Sequence, residues 1–137
     1  MNVIDMQSMR HLNLFGKITG INTRFSFKYN NNIVFCVPGK LVSKAVGEQG
    51  RNSRKMNEVL GQRIKIIPEP LGIKDARNFF ENIVSPVTFR DLEIRENEII
   101  INAGTQSKAA LIGRDKRRLI ELQKIAKDFF GKDLRIV

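Results

Sequence analysis

The chain is written twice, and this limits its fold more than any other feature. The apolar run Ile33-Val34-Phe35-Cys36-Val37 returns as Ile99-Ile100-Ile101-Asn102-Ala103, and Val46-Gly47 returns as Ile112-Gly113, both at an offset of 66 residues. The ends agree as well. Gly61-Gln62-Arg63-Ile64-Lys65-Ile66-Ile67 resembles Gly131-Lys132-Asp133-Leu134-Arg135-Ile136-Val137, once the second copy has gained a turn of helix at Asp128-Phe129-Phe130. One spacing that serves both a strand and a loop predicts a duplicated unit, with domains at residues 1–69 and 70–137. A unit of about 65 residues buries only about 60% of the surface its unfolded chain exposes, so the halves are expected to pack together. Between them, Pro68-Glu69-Pro70-Leu71-Gly72 carries two fixed φ angles and predicts a fairly fixed orientation.

Each copy reads as helix, strand, strand, helix, loop, helix, strand. In the second copy Ala76, Phe79, Phe80, Ile83 and Val84 fall on one helical stripe that Ser85-Pro86 stops. The counterpart in the first copy carries Met6, Met9, Leu12, Phe15 and Ile18, with Asp5 as its N-cap. Period-two alternation follows at Phe25, Phe27 and Tyr29, and again at Leu92 and Ile94, with turns at Asn30-Asn31-Asn32 and Glu96-Asn97. Asparagine tolerates left-handed backbone, which accounts for the triple Asn without any chemistry.

The loop between the two short helices of the first copy is Gly47-Glu48-Gln49-Gly50, flanked by Lys40, Lys44, Arg51, Asn52, Arg54 and Lys55. Glycines let backbone approach phosphates without an intervening Cβ, and the following helix offers unpaired N–H groups and a positive dipole end. Charge points the same way. The 24 Lys+Arg outnumber the 14 Asp+Glu by ten, which predicts a polyanionic partner. Segments 39–55 and 108–118 hold 10 of the 24 cations, so the excess gathers at the two predicted loops. In the second copy the corresponding residues are Lys108, Gly113, Arg114, Asp115, Lys116, Arg117 and Arg118. Lys116 stands where the second glycine would be, so a different backbone shape is expected there, with the surrounding cations compensating by charge. Glu48 is expected to repel a phosphate unless it points away or hydrogen-bonds a base, which would make the affinity of the first copy modest.

The stretch Val46-Gly47-Glu48-Gln49-Gly50-Arg51-Asn52, the following Met56-Asn57-Glu58-Val59-Leu60-Gly61 and, in the second copy, Leu111-Ile112-Gly113-Arg114-Asp115-Lys116 resemble the archaeal NusA-like transcription factors, from about Met6 to Val137. The resemblance implies an α+β fold of two tandem type II KH domains. Each would be a three-stranded mixed sheet packed by three helices, the second with a degenerate Gly-x-x-Gly loop. It also implies single-stranded RNA held at the loops and a role in transcription elongation or termination. Bacterial relatives continue into further domains, one of them polymerase-binding, whereas this chain ends with the second unit, so RNA polymerase as a partner does not carry over. A protein-interaction or ribosome-associated module with reduced RNA binding is the alternative.

Other chemistry finds little footing. Cys36 is the single cysteine and lies in an apolar run, which excludes a disulfide and a CxxC metal site and predicts a small buried hydrophobe. His11 has no second His or Cys to complete a metal site or nucleophile pair. Asp91, Glu93, Glu96 and Glu98 have the spacing of the outer face of a hairpin, and Gly39-Lys40 lacks the glycine and hydroxyl a phosphate-binding Walker loop requires. Phe79, Phe80, Phe129 and Phe130 sit at helical spacing and are expected in the core. No catalytic residue, metal, cofactor or small-molecule substrate is predicted. No leader-like segment and no run of about 18 apolar residues is present, so a cytoplasmic protein without a membrane partner is expected.

Overall fold

A computed structural model of the protein describes residues 6–23 and 25–137. The chain divides into two compact units, one ending at Glu69 and the other running from Pro70 to Val137. The first contains α1 (Met6–Thr19), β1 (Phe25–Tyr29), β2 (Asn32–Val37), α2 (Val42–Val46), α3 (Arg51–Leu60) and β3 (Arg63–Pro68). The second repeats the order with α4 (Ala76–Val84), β4 (Asp91–Ile94), β5 (Glu98–Asn102), α5 (Lys108–Ile112), α6 (Arg117–Phe130) and β6 (Asp133–Ile136). Both are α+β units, each built on one three-stranded mixed sheet.

In the first unit β2 is central. β1 pairs with it antiparallel, placing Phe27 opposite Val34, and β3 pairs with it parallel, placing Ile66 beside Phe35. The antiparallel pair closes on Asn30 and Asn31 at φ 53° and 62°, two consecutive left-handed residues that match the twist of the strands. The parallel return of β3 needs a crossover, and α2 and α3 supply it. Ile33, Phe35 and Val37 project to the helical side, where they meet Phe15, Ala45 and Met56. The rings of Phe15 and Phe35 stack with centroids 4.5 Å apart. α1 corrects one expectation. Met6 and Met9 are exposed, whereas Leu12, Phe15 and Ile18 of the predicted stripe pack on the core, with His11 and Thr19 buried beside them. The Thr19 hydroxyl donates to Phe15 O at 2.7 Å and accepts from Ile21 N at 3.0 Å, which seats a polar side chain at this buried helix end. The predicted N-cap Asp5 lies outside the described residues.

The second unit reproduces the pairing: β4 antiparallel and β6 parallel to the central β5. Its hairpin closes differently, with Arg95 N donating to Glu98 O at 2.8 Å and no left-handed residue at 95–97. Lys132 Nζ, from the residue before β6, donates to Arg95 O at 2.8 Å and clasps this turn. α4 stops at Val84, before the cis Ser85–Pro86 bond, as the proline predicts. α6 has 14 residues where α3 has 10, one turn more. That turn carries Phe129 and Phe130, which pack on Phe79 of α4 at centroid distances of 4.8 and 5.8 Å. The four phenylalanines therefore belong to packing between helices.

Cys36 is fully buried on β2, and burial, with the Glu69 carboxylate second, pushes its thiol far above the usual range. A colourless disulfide reagent at pH 8 should therefore leave Cys36 unmodified in the native protein and react only when denaturant unfolds the first unit. Phe35→Ala removes a fully buried ring at the stacked pair. It should lower the stability of the first unit by about 3–5 kcal/mol, read as a shift of the denaturant midpoint.

Candidate functional site

The junction between α2 and α3 is built by three residues off the right-handed helical path. Gly47 (φ 83°, ψ 165°) turns the chain out of α2, and its N–H still donates to Ser43 O at 3.0 Å. Gln49 (φ 54°, ψ 30°) and Gly50 (φ 73°, ψ 21°) are left-handed, and α3 starts at Arg51. The loop is therefore a break between two helices rather than a turn inside one. Glu48 and Gln49 are exposed and both glycines are half-buried.

The second junction has the same backbone. Gly113 lies at φ 77°, ψ 170°, Asp115 at 55°, 27° and Lys116 at 62°, 22°. This overturns the expectation that Lys116 would reshape the loop. The physical reason is in the space around each position. A Cβ on Gly50 would meet nothing nearer than Arg54 Nη1, at 3.7 Å, so the fourth position needs glycine only for its torsion. Left-handed backbone costs an L-residue about 1–2 kcal/mol, which a packed helix pair can offset. The first position is different. A Cβ on Gly47 would lie 3.0 Å from Asn52 N, and one on Gly113 would lie 2.5 Å from Arg118 Cγ and 3.1 Å from Arg118 N.

Some of the residues predicted for the site are occupied in holding it together. Asn52 Nδ2 donates to Ala45 O at 3.1 Å, taking up a carbonyl that the end of α2 leaves without an intrahelical partner. Arg54 Nη1 donates to Gln49 O, across the loop. Arg118, the counterpart of Asn52, lays its stem over Gly113 and pairs with Glu121 Oε1 at 3.2 Å. Sequence reasoning assigned all three as contacts and missed these structural duties, because they join residues that only the folded junction brings together. The remaining cations, Lys40, Lys44, Arg51 and Lys55 in the first unit and Lys108, Arg114, Lys116 and Arg117 in the second, are exposed, and none forms an ion pair among the described residues.

Both following helices are long enough to present a dipole, and neither has a side-chain hydrogen bond capping its first turn. The first N–H of each is taken within its junction, Arg51 N donating to Glu48 O and Arg117 N to Arg114 O, so what the helices offer the loops is the positive end of their dipoles beside unpaired cations, an arrangement suited to oxygen anions. Three of the four carboxylates of the second hairpin are engaged elsewhere: Asp91 with Arg77 at 2.9 Å, Glu93 with Arg95 at 3.2 Å and Glu98 with Arg135 at 3.2 Å. Among the described residues no group of His, Cys, Asp or Glu could hold a metal ion, and no helix is long and apolar enough to cross a membrane. A cavity of about 370 Å³ beside the start of α5, lined in part by Thr88, Arg90, Gly104 and Thr105, shares no residue with the predicted site.

No protein-family model matches the chain. It is 24% identical to a probable transcription termination protein NusA of Methanococcus vannielii over 139 aligned positions, which cover 98% of this chain and 79% of that protein. It is 23% identical to the protein of the same name from Halococcus morrhuae, covering 92% of this chain and 91% of that one. A solved structure titled "Crystal structure of APE1850" superposes with a TM-score of 0.70 at 21% identity, covering 98% of this chain and all of that one, and so shares its fold. The chain is thus similar along nearly its whole length to archaeal NusA proteins, as the loop residues predicted.

The two glycine positions should separate cleanly in stability measurements. Gly47→Ala meets both a forbidden torsion and a contact with backbone, and should cost about 3 kcal/mol or more. Gly50→Ala meets the torsion alone and should cost about 1 kcal/mol. Equal costs in denaturant titrations would mean that the space around the fourth position is not open.

Proposed function

We propose that this chain is a non-catalytic single-stranded RNA-binding protein of the NusA-like kind, with one KH-type domain in residues 1–69 and a second in 70–137, acting in transcription elongation or termination in the cytoplasm. One observation carries the reading. Two helix starts without side-chain caps stand behind left-handed, glycine-marked turns, and unpaired exposed cations surround both. Such a turn lets a sugar-phosphate backbone approach the positive end of the helix closely, while lysine and arginine neutralise the phosphates. The repeated α-β-β-α-α-β order with a parallel closing strand supports the type II KH assignment. The net charge of +10 supports a polyanionic ligand, and the names of the archaeal relatives support a role in transcription.

Binding to a single-stranded RNA oligonucleotide should be salt-dependent. With about 3 to 4 phosphates neutralised per domain, log K should fall against log[salt] with a slope of about −2 to −3 for each engaged domain. A variant carrying Gly50→Asp and Lys116→Asp keeps residues that tolerate left-handed backbone but places carboxylates on both rims. It should lose at least about tenfold in affinity at 0.1 M salt, with its circular dichroism unchanged. Full affinity in that variant would move the binding site away from the loops.

A further inference from the structure

The two loops have one backbone but different side chains, so they can be compared position by position. Glu48 in the first corresponds to Arg114 in the second, Gln49 to Asp115, Gly50 to Lys116 and Arg51 to Arg117. The torsions of the non-helical positions agree closely, the widest difference being φ 73° at Gly50 against 62° at Lys116. Distance and shape therefore cancel and charge is left. From Gly47 to Arg51 one cation stands with one carboxylate; from Gly113 to Arg117 there are three cations to one carboxylate. Arg114, Lys116 and Arg117 are exposed, and their side chains form no hydrogen bond or ion pair among the described residues, so all three charges are available to a ligand.

We infer that Lys116, the residue that breaks the glycine pattern, is itself a phosphate-binding residue, and that the second loop carries the larger electrostatic share of RNA affinity. This rests on the RNA-binding reading above. Glycine at the fourth position gives a loop its left-handed torsion without strain but brings no charge, and the N–H of Gly50 is already taken by Gly47 O at 3.0 Å. Lysine accepts the torsional penalty at a position where its Cβ has room, judged from the open space at Gly50, and sets an ammonium group at the start of α6. The positive end of a 14-residue helix and the exposed, adjacent Arg114 and Arg117 add to the positive potential at that position. The first loop, whose glycine pattern is complete, has a carboxylate at Glu48 in the place where the second has Arg114. The loop that looks degenerate is thus the stronger anion site.

Lys116→Gly decides the matter, because it restores Gly-x-x-Gly in the second loop while removing one charge. If the glycine pattern governs affinity, this variant binds RNA more tightly. On the inference made here it binds more weakly. Each phosphate contact on a single strand contributes about 0.7 to the salt slope, so its loss should reduce affinity about fivefold at 0.1 M salt and flatten the slope by about 0.7. Lys116→Gln should behave in the same way and Lys116→Arg should retain wild-type binding. The reciprocal Gly50→Lys should gain about fivefold. Fluorescence anisotropy of a labelled oligouridylate across a salt series, with the full chain and thermal melts of each variant, reads all four. Equal or tighter binding by Lys116→Gly, or no gain in Gly50→Lys whose melt shows it folded at the assay temperature, overturns the inference while leaving RNA binding in place. A wild-type protein that fails to bind, or binds without salt dependence, overturns the RNA reading and this inference with it.

Discussion

The absence of a side chain at Gly47 and at Gly113 is the constraint from which the rest of each junction follows. At these positions the chain leaves one helix and passes so close to the first turn of the next that a Cβ would press on its backbone N. That approach brings Asn52 within reach of the last carbonyls of α2, and folds the stem of Arg118 across Gly113. It also leaves the starts of α3 and α6 uncapped by side chains. A larger residue would separate the two helices, and the positive end of the second would no longer meet the cations around the loop. The fourth position of the loop is under a weaker constraint, because only its torsion is demanding.

Duplication has therefore kept a frame and varied what hangs on it. Strands β2 and β5, helices α2 and α5, and the starts of α3 and α6 are all related by the same offset. What changes lies where the frame is permissive. The hairpin turn exchanges two left-handed asparagines for a turn without them, clasped by Lys132. The last helix gains a turn, and its two phenylalanines find α4, whose own phenylalanines are buried. At the loop, a carboxylate gives way to an arginine and a glycine to a lysine. Because the surrounding geometry is held, each exchange changes the chemistry of the loop without changing its shape.

Sequence alone determined the order of elements, the repeat, both loops and the turn added to α6, since each leaves a local mark: alternation, an apolar stripe, a glycine, or an interrupted offset. It also determined where positive charge gathers, which needs no folding to be counted. Three matters were decided only in the tertiary structure. The apolar stripe of α1 is covered only at Leu12, Phe15 and Ile18, with His11 and Thr19 buried beside them, while Met6 and Met9 stay exposed, because a stripe marks which side of a helix can be covered but not how far along it the core reaches. The backbone of the second loop follows that of the first despite Lys116, because the space around a residue is set by neighbours that arrive from elsewhere in the chain. Asn52, Arg54 and Arg118 hold their junctions together while eight other cations remain exposed and unpaired, a division that depends on which carbonyls and carboxylates folding brings within hydrogen-bond reach.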